Sequence, residues 1–422
     1  MTLSYSRLLD DLRQRTARSH TSLLGPHAPP LRRWLDRHLD AVADEDGLIG
    51  EPVFEHKFGF APHDETLDAL GQRGEVHPAL VDQMHRPPKS FEEQHFRRDW
   101  FPYTHQVAAW RALADDTSIV VSAGTGAGKT ECFAVPILSD LVGQALSHRS
   151  TLVGVQALFL YPLNALINSQ RERLSAWTRG FGGRVRYCLY NGETKNRVPA
   201  HEQAAAPEQV LSRKLLRESP PPLLITNATM LEYMLVRPDD APILDASQGK
   251  LRYIVIDEAH TYVGSMAAEL ALLLRRVMNA FGVSSEDVRF IATSATLSSS
   301  EAQDDVEAFL AKLAGQPRSR VRCITDRRAI PPLPDVEIRS GLPDLDALEA
   351  ADEVSRFEAL AAHQGPRSLR DALVSQPGQR LTHLAGRLAG DLDEPPDLPT
   401  MLKLLDLGTR ARPAPGEEAF LP

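Results

Sequence analysis

The chain has 422 residues, of which 42% are hydrophobic and 24% are charged, an ordinary balance for a globular protein of two or three domains. No run of 18 apolar residues is present, which excludes a membrane-spanning helix, and the formal net charge of −9 gives no general attraction to nucleic acid. The three cysteines are far apart and form no C-x-x-C pair, which argues against a disulfide framework or a zinc cluster and fits a reducing cytoplasm.

Residues 1–95 are predicted to form a mainly helical accessory region. Apolar residues recur at three- and four-residue spacing in Leu8–Leu12 and in Leu31–Leu39, which predicts two amphipathic helices. The segment Val53–Phe60 fits either a short strand or a packing arm. No catalytic constellation is present here, and the many charges are interpreted as a solvated face.

An aromatic residue and a glutamine precede the predicted helix that leads to a glycine-rich loop. An aromatic residue of the segment Phe101–Gln106 and the amide of Gln106 are placed to clamp adenine, with the ring stacking on the base and the amide supplying one donor and one acceptor to its edge. An ordinary helix start is the alternative interpretation of this segment.

The glycine-rich loop itself predicts a phosphate-binding site. A short apolar strand ends at Ser122, and a predicted helix begins at Lys129. Between them, glycines permit a backbone whose N–H groups point at phosphate oxygens, and the helix start adds the positive end of its dipole. Lys129 can reach the β- and γ-phosphates, and the Thr130 hydroxyl can ligate Mg²⁺. The predicted ATP contacts are Gln106, Ala123, Gly124, Thr125, Gly126, Ala127, Gly128, Lys129 and Thr130.

Six apolar runs predict the strands of a mostly parallel α/β sheet. They are Ile119–Val121, Ala157–Leu160, Val185–Leu189, Leu223–Ile225, Tyr253–Ile256 and Phe290–Ala292. Helical stretches or loops separate most of them, as in α/β proteins. Because ligands bind at the carboxyl ends of the strands in such sheets, the polar clusters that follow the strands are expected to meet at one edge.

Two carboxylates follow the fifth of these runs. Asp257 is placed to hold Mg²⁺, directly or through water, and Glu258 to orient and deprotonate the attacking water. After the sixth run, the hydroxyls of Ser294 and Thr296 are expected to bond His260 or Glu258 and so to couple the ATP site to movement elsewhere.

The motifs Ala-Gly-Thr-Gly-Ala-Gly-Lys-Thr, Asp-Glu-Ala-His and Ser-Ala-Thr, in this order, resemble the first RecA-like lobe of a superfamily 2 DEAD/DEAH-box helicase. Tyr-Asn-Gly-Glu-Thr and Thr-Asn-Ala-Thr-Met-Leu-Glu make the chain similar to bacterial DNA-repair helicases of the MrfA type and related phage-defence helicases. The resemblance covers roughly residues 95–300. It implies a RecA-like P-loop NTPase domain at 96–300, with a mostly parallel sheet and helical segments flanking it on both sides.

The resemblance also implies roles for the remaining clusters. It makes Lys129, Asp257, Glu258 and His260 the catalytic set, with Mg²⁺ at Thr130 and Asp257. It further implies that one strand of nucleic acid, expected to be single-stranded DNA, runs across Pro162, Asn164, Gln170, Gly192, Thr194, Thr226 and Asn227. The amides and hydroxyls in this set are uncharged groups suited to phosphate contacts.

Residues 297–422 contain no Q-x-x-G-R-x-x-R-like motif of a second RecA-like lobe, whose arginine is worth roughly 10³–10⁵ in rate. This segment is predicted to be mostly helical, with helices at Asp344–Ala362, Leu369–Leu373, Leu381–Leu388 and Met401–Leu407. We expect it to be the start of a further domain in a longer protein.

The sequence therefore predicts the ATP-binding motor lobe of a helicase or translocase in the cytoplasm. Two alternatives remain open at this point. The first is an ATP- and DNA-binding module that is inactive without a second lobe or a partner subunit. The second is a P-loop ATPase that acts on protein.

Overall fold

The computed structural model describes residues 5–24, 29–30, 33–34, 50–55, 57–262, 264–294, 300–376, 378–390, 396–414 and 417–421. The chain divides into two compact units. One consists of Phe60–Arg327, and the other combines Met1–Gly59 with Arg328–Pro422. These boundaries differ from the predicted ones at 95 and 300, because the N-terminal helices from residue 67 onward and one further strand pack with the sheet.

The sheet of the Phe60–Arg327 unit has seven strands in the order β4-β5-β3-β6-β7-β2-β8, and all its pairings are parallel. The strands are β2 (Ser118–Ser122), β3 (Ala157–Leu160), β4 (Tyr187–Leu189), β5 (Leu223–Thr226), β6 (Tyr253–Ile256), β7 (Arg289–Ser294) and β8 (Val321–Thr325). The predicted fold class is confirmed, and all six predicted strands are present. The third of them begins at Tyr187, two residues later than predicted.

The register of the sheet brings the functional loops together. Ser122 pairs with Ser294, Leu160 pairs with both Thr226 and Ile256, and Ile256 pairs with Ala292. The strands therefore end at nearly the same level, and the residues that follow them share one edge of the sheet.

The seventh strand, β8, was not predicted. It pairs with β2 on the side opposite β7 and forms an edge of the sheet. Only Val321 and Ile324 are buried in it, and Arg322 is exposed. This half-exposed pattern is ordinary for an edge strand and lacks the continuous apolar run of the central strands.

Helices cover both faces of the sheet. In β2, Ile119 and Val121 pack in one core with helices Thr104–Ala114 and Lys129–His148, whereas Val120 packs in the other with Ser265–Ala280 and Ser300–Ala314. The remaining helices of this unit are Leu67–Gln72, Pro78–His85, Asn164–Thr178, Ala200–Ala205, Arg213–Glu218, Ala228–Val236 and Ala241–Asp245. Short 3₁₀ turns lie at Lys89–Gln94, Arg179–Phe181, Pro238–Asp240, Ala259–Thr261 and Arg318–Arg320.

The other unit is mostly helical, as predicted for the C-terminal segment. It contains Tyr5–Leu24, Leu345–Ala350, Glu353–Ala361, Gln364–Ser375, Leu381–Leu388 and Leu398–Arg410, with a two-stranded antiparallel pair of β1 (Val53–Glu55) and β9 (Gly378–Arg380). The single helix predicted over residues 344–362 is two helices, and the predicted Leu31–Leu39 helix lies largely outside the described residues. Within the described part of the chain, no helix has the length and apolarity needed to cross a bilayer.

Candidate nucleotide site and adjoining loops

The glycine-rich loop after β2 has the backbone that its sequence predicts. Gly126 and Gly128 have φ angles of +76° and +68°, a region that side chains disfavour. At Gly128 an added Cβ would lie 2.2 Å from Nε2 of Gln106 and 2.9 Å from Oε2 of Glu131. A glycine is therefore required at position 128, both because of the backbone torsion and because there is no space for a side chain. The 20-residue helix that starts at Lys129 directs its free N–H groups toward the loop.

Two buried side chains that precede this loop in the sequence bond its backbone. Gln106 is 3% exposed, and its Nε2 donates to the carbonyl of Gly128 at 3.3 Å while its Oε1 accepts from the amide of Tyr103 at 2.9 Å. His105 bonds the carbonyl of Ala127 through Nε2 at 2.7 Å. The side-chain amide of Gln106, which was predicted to bond the edge of adenine, thus bonds the phosphate loop and the N-cap residue of its own helix. Phe101 is 51% exposed.

Lys129 links the loop to the neighbouring strand. Its Nζ donates to the carbonyl of Ser294, the last residue of β7, at 3.4 Å. The ammonium group therefore lies between the ends of β2 and β7, on the side of the loop toward β6.

The two carboxylates after β6 are organised by a residue that the sequence did not single out. The Thr293 hydroxyl donates to Oδ1 of Asp257 at 2.5 Å and accepts from the amide of Glu258 at 2.9 Å. Thr293 is fully buried in β7, so it fixes the turn that carries both acids. It is thus Thr293, the residue before Ser294, that bonds the backbone amide of Glu258. The coupling role of Ser294 and Thr296 stays a prediction, and Thr296 lies outside the described residues.

Glu258 has a φ of +52°, in the left-handed region that a side chain rarely adopts. Such a conformation costs free energy and is retained only where the surrounding structure enforces it, which is common at functional sites. Its Oε2 is 3.2 Å from Nδ1 of His260, so the imidazole can orient the carboxylate.

Burial raises the pKa of Asp257 above its ordinary value, and the charge of Glu258 acts in the same direction, while the Thr293 hydroxyl and Lys129 act against it. The carboxylate is thus not fully compensated, which suits a divalent cation with oxygen ligands. Among the described residues, no group of three or more His, Cys, Asp or Glu can hold a metal ion. The residues present fit Mg²⁺ held by Asp257, the Thr130 hydroxyl and the phosphates of a nucleotide, the usual manner for this ion.

An acid that was not predicted contacts the phosphate loop. Asp326 directly follows β8, and its Oδ2 accepts from the amide of Gly124 at 3.2 Å. It therefore ties the start of the loop to the edge strand.

The loops after β3, β4 and β5 are held by the polar side chains predicted to contact nucleic acid. Thr226 is fully buried, and its hydroxyl donates to the Tyr190 carbonyl at 2.6 Å, so this side chain supports the loop and does not face solvent. The Asn227 amide donates to Oδ1 of Asn164 at 2.8 Å, and its Oδ1 caps the helix Ala228–Val236. Of the other predicted positions, Asn164 and Gly192 are exposed, and Pro162, Gln170 and Thr194 are partly exposed.

Arg213 fixes the Tyr190–Thr194 loop from the helix that begins there. Its guanidinium donates to the carbonyl of Thr194 at 2.9 Å and to that of Asn191 at 3.2 Å, and it lies 5.3 Å from the ring centroid of Tyr190. The Thr194 hydroxyl closes the loop internally by donating to the carbonyl of Leu189 at 2.9 Å. Contacts within the protein therefore fix the conformation of the Tyr190–Thr194 loop without a ligand.

A buried acid completes this support. The Tyr190 hydroxyl donates to Oδ2 of Asp240 at 2.8 Å, and Nε of Arg217 donates to Oδ1 at 2.8 Å. Burial, together with the Asp240 carboxylate, raises the pKa of Tyr190 to about 12. An open cavity of about 200 Å³ adjoins the loop, with Asn168, Arg171, Asn191, Glu193, Thr194 and Lys195 in its lining.

Comparison with known proteins identifies relatives of this region. The family model described as DEAD/DEAH box helicase matches residues 103–304. The Druantia protein DruE of Escherichia coli (strain UMEA 4076-1) is 30% identical, over 51% of this chain and 17% of its own length. The "Uncharacterized ATP-dependent helicase YprA" of Bacillus subtilis (strain 168) is also 30% identical, over 46% of this chain and 23% of its own length. The chain thus spans about a quarter or less of these curated relatives.

Solved structures similar to the chain include the DUF1998 helicase MrfA bound to DNA and AMPPNP. It is 21% identical, with a TM-score of 0.44, over 81% of this chain and 41% of that one. The DEAD-box helicase Mss116 bound to ssRNA and UDP-BeF is 14% identical, with a TM-score of 0.46, over 83% of this chain and 64% of that one.

Proposed function

We propose that this chain carries the ATP-hydrolysing motor lobe of a nucleic-acid helicase or translocase that acts on DNA, since the DEAD/DEAH box helicase model matches residues 103–304. The observation that carries the proposal is the arrangement around β7. Lys129 of the phosphate loop bonds the end of this strand, and Thr293 of the same strand bonds both Asp257 and the backbone of Glu258. Phosphate-binding and acid–base groups are thereby brought to one place.

The proposed roles follow from this geometry. The loop amides and Lys129 bind the phosphates, and the Thr130 hydroxyl and Asp257 hold Mg²⁺, which when bound neutralises charge on the phosphates. Glu258 accepts the proton of the attacking water, and His260, 3.2 Å away, orients that carboxylate. Phe101 offers a half-exposed ring to stack on adenine, and Gln106 holds the loop below it.

The proposed nucleic-acid path crosses the loops after β3, β4 and β5. Asn164, Gln170, Gly192, Thr194 and Asn227 face solvent at least in part, and Pro162 begins the first of these loops. Contacts from such groups go to the backbone of a single strand, so binding is expected to be largely independent of sequence and weakened by salt.

A second candidate is a nucleotide- and DNA-binding module without turnover of its own. Residues 297–422 contain no arginine motif of a second lobe, and the chain spans only 17% of DruE and 23% of YprA. The arginine that a second lobe supplies contributes roughly 10³–10⁵ in rate, so a chain without it is expected to bind its ligands but turn over little ATP.

Steady-state ATPase activity with and without single-stranded DNA tests the proposal, with Glu258→Gln as the blank. Turnover that DNA stimulates and that the blank lacks supports the motor lobe. ATP and DNA binding without turnover supports the binding module. Stimulation by an added protein but not by DNA would favour the protein-directed ATPase, and absence of ATP binding would refute all three.

A further inference from the structure

One ion pair joins the phosphate loop to the helix that follows β3. Glu131 lies in the first turn of the helix Lys129–His148, and its side chain is 12% exposed. Its Oε1 is 3.4 Å from the guanidinium of Arg173, and its Oε2 lies against Gly128, 2.9 Å from where a Cβ at that glycine would be. The carboxylate therefore contacts the loop with one oxygen and the arginine with the other.

Arg173 extends this connection along the helix Asn164–Thr178. Its guanidinium donates to Oε1 of Gln170 at 3.4 Å and lies 5.9 Å from the ring centroid of Trp177. Gln170 is one of the proposed nucleic-acid contacts. Two side chains, Glu131 and Arg173, thus separate the phosphate loop from a residue on the proposed path of the single strand.

The hydroxyl of Tyr161 marks the same buried region. Tyr161 is fully buried at the start of the loop after β3, and its hydroxyl has no hydrogen-bond partner among the described residues. Burial raises its pKa well above the ordinary value, the charges of Asp257 and Glu131 add to this, and Arg173 opposes it. Asp257 and the Glu131–Arg173 pair therefore interact electrostatically with the same buried hydroxyl, that of Tyr161. Charges influence one another strongly in such a poorly solvated region.

We propose that the Glu131–Arg173 ion pair couples nucleotide binding to single-strand binding, an inference that rests on the proposed function. A triphosphate in the loop places negative charge beside Gly128, where Oε2 of Glu131 lies, and repels that carboxylate. Arg173 follows its partner, and the amide of Gln170 is released or reoriented toward the strand. By thermodynamic reciprocity, single-stranded DNA then strengthens nucleotide binding by the same factor. Glu131 and Arg173 are positioning residues, since neither side chain contacts a reacting atom.

The test measures the coupling factor, which is the ratio of the Kd values for a fluorescent single-stranded oligonucleotide without and with a non-hydrolysable ATP analogue and Mg²⁺. For the wild type we expect a factor within the usual range of about 5–150. Glu131→Gln and Arg173→Gln are each expected to bring the factor close to one. The double variant should lose no more than either single variant, because both remove one interaction. The charge-swapped pair, Glu131→Arg with Arg173→Glu, should recover part of the factor.

Glu172→Gln is the matched control, since Glu172 is exposed on the same helix, and it should keep the wild-type factor. Thermal unfolding identifies any variant that fails to fold. If Arg173→Gln does not fold, Arg173→Lys takes its place, and because it keeps the charge we expect a coupling factor between that of the wild type and one. Wild-type coupling in both glutamine variants would overturn the inference, as would a wild-type factor of one. A wild type that binds neither ligand would instead overturn the proposed function, so the two failures are distinguishable.

Discussion

The two halves of the sheet edge use their polar side chains differently. Around β2, β6 and β7, the groups proposed to perform chemistry are oriented by others, as Thr293 bonds Asp257 and Gln106 bonds the phosphate loop. Around β3, β4 and β5, Thr226 and Asn227, which were predicted to contact the ligand, are bonded within the protein. Motif residues therefore indicate chemistry directly in the first half. In the second half they indicate how a loop is held in shape, and the exposed surface of that loop is the part proposed to bind nucleic acid.

Replacement of the acid in the nucleotide half should give the largest effect. Glu258→Gln is expected to lower kcat by about 10²–10⁴, because the carboxylate that accepts the proton is lost while the phosphate contacts remain. Steady-state turnover and equilibrium binding of an ATP analogue measure the two quantities. Glu286→Gln, at an exposed position, serves as the control. Normal turnover in Glu258→Gln would remove Glu258 from the role of base.

Loss of the loop lysine should act on binding. Lys129→Ala is expected to weaken ATP binding by about 10–100-fold, which corresponds to one or two hydrogen bonds to a charged group. Binding of single-stranded DNA in the absence of nucleotide should not change, because the loops after β3–β5 are held independently of this lysine. Isothermal titration with each ligand separates the two effects. Tight ATP binding in the variant would contradict the assignment of the phosphate loop.

In the other half, Arg213→Gln should weaken binding of single-stranded DNA by about tenfold without changing ATP affinity, because it releases two carbonyls that shape the Tyr190–Thr194 loop. The salt dependence distinguishes positioning from direct contact. A lost phosphate contact lowers the slope of log K against log salt by about 0.7 for a single strand, whereas lost positioning leaves it unchanged. Lys214→Gln, at the exposed neighbouring position, is the control.

The smallest effect concerns stability. Since the pKa of Asp257 is raised in the folded chain, the folded state holds its proton more tightly than the unfolded state does. The free energy of unfolding therefore falls as pH rises from the ordinary aspartate range through the raised value, and the loss is complete above it. Asp257→Asn should be more stable than the wild type at neutral pH, by an amount that shrinks in acid. Chemical denaturation at several pH values tests this, and a variant less stable than the wild type at neutral pH would contradict it.

The sequence was sufficient for the central strands and for the phosphate loop, because both have strong local patterns. The apolar runs are buried on both faces, and the glycines occupy torsions that few other residues adopt. It was not sufficient for Thr293, which looks like any threonine in a strand until the register places it beside Asp257. Arg213 and Asp326 could not be singled out either, because their partners lie outside any local pattern, 19 and 22 positions away for Arg213 and 202 positions away for Asp326. The strand β8 was missed because only two of its five residues are buried.

The place of β8 beside β2 also governs the order in which this chain can fold during synthesis. The strand that carries the phosphate loop is made early, but both of its neighbours follow much later, and Gly124 and Asp326 are 202 positions apart. Until the ribosome has passed residue 325, β2 lacks one partner and offers an unpaired edge to other chains. An expressed fragment that stopped at residue 300 would keep that edge open. Aggregation of such a fragment, and its relief by extension to residue 327, would reflect the absence of β8 and of the helix Ser300–Ala314, and not any defect in nucleotide chemistry.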